Sequence, residues 1–139
     1  MHGVELAALD LSLAGYTAET GRVFTRELMQ RVRAVPGVES ATLAAMVPLG
    51  GGGIGLGGLS IPGVQPPAGR RFLDADWNVV TPGCFRTMKM TLAAGRDFTE
   101  ADGDRAPPVV IVNETAARRW WPPEGPIGKA GVGHPTSPA

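Results

Sequence analysis

The sequence predicts an α+β domain, and three observations carry that reading. Residues 17–35 repeat apolar side chains at helical spacing. Residues 4–13 and 38–46 alternate them at strand spacing. Residues 109–112 form a short apolar run that meets a helix-capping asparagine at once. The chain of 139 residues is long enough for one domain or for two small lobes.

Each element has a local cause. In residues 4–13, Leu9, Leu11 and Leu13 alternate with Asp10 and Ser12, which predicts a half-buried strand that turns at Gly15. Thr17 then caps a helix over 17–35, and Glu19 lies in its first turn, where the helix dipole favours negative charge. Phe24, Leu28, Val32 and Val35 form one apolar stripe, while Arg22, Arg26, Arg31 and Arg33 point mostly elsewhere. Pro36-Gly37 ends the helix, and residues 38–46 follow as a strand with Ala41, Leu43 and Ala45 on one side.

Residues 48–69 hold most of the glycine and proline excess and predict a flexible loop, since ordering them costs much entropy and buries little. Residues 76–81 predict a short strand, and Thr81-Pro82-Gly83 opens a short helix with Thr81 as its cap. Residues 92–98 are extended and irregular, and residues 99–106 are a polar acidic turn. The run 109–112 is apolar on both faces, as expected of a strand with neighbours on each side. Asn113 caps the next helix, Glu114 begins it, Arg118 and Arg119 lie near its end, and Pro122-Pro123 stops it. Residues 130–139 have no pattern and predict a disordered tail.

Composition narrows the function classes. Thirteen basic residues balance thirteen acidic ones and no basic stripe stands out, which argues against a nucleic-acid partner. The single cysteine, Cys84, cannot form an internal disulfide. No apolar run is long enough to span a bilayer, and the first residues lack the charged and apolar regions of a signal peptide.

No catalytic set assembles. Gly53, Gly55 and Gly58 match G-x-G-x-x-G, but the residues after them, including Pro62-Gly63, cannot open the helix that a dinucleotide site requires. The only lysines, Lys89 and Lys129, do not complete a phosphate-binding loop. His2 and His134 lie at the two ends, far from a ligand pattern. Asp97, Glu100, Asp102 and Asp104 lack the ordered alternation of a calcium loop and read as a solvated turn. Asn113-Glu114-Thr115 is a formal glycosylation sequon that reads as a helix cap. Cys84 has no base or resolving partner in view. The catalytic, cofactor and metal sets are therefore expected to be empty. Trp120 and Trp121 remain as candidate interface residues, the alternative being that at least one fills the small core beneath its helix.

Four stretches together resemble the periplasmic core domain of MacB-like permeases, in the FtsX-like superfamily of ABC transporter permeases. They are FTRELMQRVRAVPGVESATLAAMVP over 24–48, NVVTPGCFRTM over 78–88, LAAGRDFTEAD over 92–102 and VVIVNETAARRWWPPEGPIGK over 109–129. The second is similar to the family's strand and "sPgYFetm" helix, the third to "l..GR.Ft..D", and the fourth to "vaivnetlArr.fp..dPiGk". Each motif alone is short, and their common order along nearly the whole chain carries the likeness.

The resemblance implies a core domain over 1–129 with a flexible loop at 48–69 and a tail at 130–139. It implies a porter-like β-α-β lobe that includes the 17–35 helix, and a smaller strand-rich lobe built mainly from 85–129. It also implies a periplasmic, non-enzymatic domain without cofactor. The remainder of the permease and its transmembrane helices, a second permease in a dimer and, indirectly, a cytoplasmic ATPase would be its partners. The role implied is coupling of an ATP-driven cycle to efflux or mechanotransmission. The alternative is a stand-alone ligand- or protein-binding module of porter-like fold.

The family pattern continues into further strands after Lys129, so the resemblance implies a domain incomplete at its C-terminus, with an open apolar edge. The chain alone is then expected to form dimers or larger species in solution. A longer chain carrying the later strands should sediment closer to a monomer and melt higher, with differential scanning calorimetry as the check on the melt.

Overall fold

The computed structural model describes residues 3–47, 54–55 and 58–134. Its elements in chain order are α1 (Ala18–Arg33), β1 (Ile54–Gly55), β2 (Gly58–Ser60), β3 (Asp76–Trp77), α2 (Cys84–Thr87), α3 (Glu114–Trp120) and β4 (Val132–His134). Helices and small antiparallel sheets make the class α+β. The chain divides into two compact units, residues 1–41 and 42–139.

The first unit is organised by α1. Thr17 and Thr20 form a reciprocal capping box: the Thr20 N–H donates to Thr17 Oγ1 at 3.2 Å, and the Thr17 N–H donates to Thr20 Oγ1 at 2.8 Å. Two of the free amides of the first turn are thus satisfied within the sequence itself. Glu19 in the first turn and Arg31 and Arg33 in the last complement the dipole. Phe24, Leu28 and Val32 of the expected stripe are half-buried, and Met29, beside that stripe, is the buried residue of the helix. Ahead of α1, a turn at 11–16 sets the Tyr16 ring 5.1 Å from that of Phe24.

The strand expected at 4–13 is not formed. Among the described residues no ladder includes it, and Val4, Leu6, Leu9 and Leu13 are exposed, Leu13 to 88%. Period-two alternation only permits a strand; a paired neighbour makes one. The same holds for residues 109–112, which join no ladder among the described residues, with Val110 78% exposed.

The second unit is organised by two antiparallel associations. In the first, the end of the expected 38–46 strand pairs with residues 78–81. The Ala45 N–H donates to the Val79 carbonyl at 2.8 Å, the Thr81 N–H donates to the Leu43 carbonyl at 2.9 Å, and Ala44 bridges Val80. Side chains extend this short ladder at both ends. Asn78 acts as a peptide mimic for Met46, accepting from its N–H at 2.9 Å and donating to its carbonyl at 2.8 Å. Thr81 Oγ1 accepts from the Leu43 N–H at 2.9 Å and shares a hydrogen bond with the Thr42 hydroxyl.

In the second association, β2 lies between two partners. Leu59 pairs with Gly133 of β4 on one side and with Leu73 on the other, where two backbone bonds of 3.0 and 2.9 Å close the bridge. Buried Ile61 and Leu73 flank this centre. β1 pairs separately with β3, Ile54 opposite Trp77.

This arrangement differs from the sequence reading at two places. β1 and β2 lie within the stretch expected to be loop, and β4 lies within the stretch expected to be tail. Gly58 gives part of the reason: a Cβ there would fall 2.6 Å from the Phe72 ring, so a glycine is what allows the ring to cross the strand. The expected loop residues 48–53 and 56–57, and tail residues 135–139, lie outside the described residues.

α2 differs in its cap. Its N-cap is Gly83, at φ +84°, a conformation that glycine adopts without a Cβ penalty. Thr81 does not cap it, because its hydroxyl is already committed to Leu43 and Thr42.

Two substitutions test these local ties. Thr17→Ala should destabilise the first unit by about 1 kcal/mol, the usual worth of an N-cap. Asn78→Ala should cost about 1–3 kcal/mol, since it strands both polar groups of half-buried Met46. Urea denaturation of each variant checks the pair. Amide exchange should quicken at Met46 only in the second.

Candidate functional site

Three of the four motif stretches converge within the second unit, and the turn after α2 is where they meet. α2 ends at Thr87, and the Met90 N–H returns to the Phe85 carbonyl at 2.8 Å. The chain then runs through 92–98 and brings the Phe98 ring within 6.3 Å of the Phe85 ring. Gly95 adopts φ +80°, and a Cβ there would come within 3.0 Å of Ile127 Cδ1. The 78–88, 92–102 and 109–129 stretches are thus tied by Phe85, Phe98, Gly95 and Ile127.

The turn itself is held by one carboxylate. The Arg96 guanidinium donates to both oxygens of Asp102, at 2.6 and 2.7 Å. The same carboxylate accepts from the Thr99 N–H at 2.8 Å and from the Thr99 hydroxyl at 3.3 Å. The Asp102 side chain is only 10% exposed, whereas that of Arg96 is 60% exposed. Hydrogen bonds from Arg96, and then from the Thr99 backbone, hold the Asp102 carboxyl well below the usual carboxylate range. The fork likewise raises Arg96. A bidentate fork fixes direction as well as distance, so it holds the loop in one shape.

The remaining acidic groups do not converge. Asp97 Oδ1 accepts from the Phe98 N–H at 2.7 Å, and Asp102 is saturated as described. Among the described residues no group of three metal-ligating side chains forms. At Gly58, the last glycine of the G-x-G-x-x-G match, the chain enters β2 where a dinucleotide site would need a helix. Gly55 lies in β1, and Gly53 lies outside the described residues. Cys84 is 2% exposed, so its thiol faces protein and not solvent.

α3 supports the candidate interface residues. Asn113 Oδ1 accepts from the Ala116 N–H at 2.8 Å, and Glu114 pairs with Arg118 at 2.9 Å one turn on. Trp120, the last helical residue, and Trp121, the C-cap, meet edge to face with ring centres 5.8 Å apart and planes at 89°. Both are half-buried. The loop beyond them folds back through the Gly125 N–H to the Trp121 carbonyl at 2.9 Å and through a Lys129–Glu124 ion pair. That return is what carries Ile127 to Gly95. The sequence reading named the two tryptophans but missed the Arg96–Asp102 fork, although Thr99-x-x-Asp102 has the spacing of a self-capping turn.

Chemically, this arrangement offers a turn tied by the Arg96–Asp102 fork and the Thr99 amide, and an aromatic pair. The family model described as MacB-like periplasmic core domain matches residues 7–132. No curated relative and no solved structure matches the chain.

Two outcomes check the turn. Asp102 ionises more easily folded than unfolded, so its contribution to stability is present above the ordinary carboxyl value of 3.8 and is lost as pH falls through the lower folded value. Carbon-detected NMR titration should find Asp102 well below 3.8, and Arg96→Gln should return it towards that value. Gly95→Ala should destabilise the domain by about 1 kcal/mol or more, through both the positive φ and the Ile127 contact, as read by thermal denaturation.

Proposed function

The chain belongs to the family of MacB-like periplasmic core domains, and from that premise we propose that it couples an ATP-driven cycle to outward transport or to force on a partner. Membership makes it an extracytoplasmic domain of an ABC transporter permease, located in the periplasm as part of an inner-membrane protein. Such permeases work with an ATPase. In the proposed reading that ATPase is cytoplasmic and hydrolyses the nucleotide, and this domain performs no catalytic step. The domain acts mechanically, within a permease dimer, on substrate or on a partner protein.

The single observation that carries the reading is the family match over residues 7–132. Two features of the second unit agree with it. Arg96 and Asp102 pair with each other and Asp102 holds the Thr99 amide, which suits a part that transmits force better than an active site. Trp120 and Trp121 close α3 as an aromatic pair, the residue type that dominates interface energetics. In this reading they contact another part of the permease assembly, and α1 belongs to a porter-like lobe while residues 85–129 form the smaller one.

Reconstitution tests the proposal. The full permease and its ATPase in liposomes should hydrolyse ATP and move substrate or a partner. The double variant Trp120→Ala, Trp121→Ala should weaken the interface by roughly tenfold or more. That loss should appear as fewer transport events per ATP, with hydrolysis retained. A permease lacking the domain that still couples hydrolysis to transport at the full rate would overturn the reading.

A further inference from the structure

We draw no further inference here: the strongest candidate, the exposed apolar segment at residues 4–13 ahead of α1, carries nothing because nothing in the structure shows what covers it.

Discussion

The second unit depends on the short antiparallel association of residues 43–46 with residues 78–81. Met46 and Asn78 stand 32 positions apart, so holding them together closes a long loop against its entropy. Two backbone bonds would be a thin closure for that purpose. Asn78 and Thr81 add side-chain bonds to Met46 and Leu43, all in part-buried surroundings where such bonds are stronger than in water. α2 and the turn beyond it take their position from this closure. Gly83 starts α2 two residues after Thr81, α2 places Phe85, Phe85 meets Phe98, and the turn at Phe98 is the one that Arg96 and Asp102 lock.

Polar closure matters here because apolar closure is sparse. Among the described residues the buried apolar side chains are Met29, Ile61, Leu73 and Cys84. α2 has four residues and α3 has seven, far below the length at which an isolated helix is stable. Neither persists through propensity alone. α3 gains its first turn from Asn113 and Glu114, and its far end is fastened by the loop that returns from Gly125 to Trp121. β1 and β3 contribute two residues each, so their pairing follows the closure of 43–46 on 78–81 more than it causes it.

What could be read from the sequence divides along the line between local and non-local physics. α1 was legible because its cap, dipole charges and apolar stripe all lie within one stretch, and the Thr17–Thr20 box confirms that local logic. The Asn113 cap was legible for the same reason. Strands were legible only as candidates. Residues 4–13 and 109–112 alternate or run apolar, yet among the described residues no ladder includes them, because pairing is decided by a segment elsewhere. The opposite error arose at Gly58 and at Val132, where short glycine-containing segments pair with each other and with Leu73. Thr81 shows the same override at one side chain: its spacing suits a cap, and a distant backbone amide took its oxygen.

At the candidate site the motif residues were legible as a pattern before their physical work was. GR-x-F-T-x-x-D reads as an acidic loop, and only the folded geometry makes Arg96 and Asp102 a fork with Thr99 inside it. Such geometry makes residues demanding for structural reasons alone. A part that passes motion from one contact to another must resist deformation between them. A fork with four acceptor contacts on one carboxylate fixes both ends of its turn, and the Gly95–Ile127 contact ties that turn to the loop carrying the tryptophans. In the proposed role, displacement of α3 passes through the approach of Ile127 to Gly95 towards Phe98 and Phe85. In that role this continuity is the working feature of the second unit.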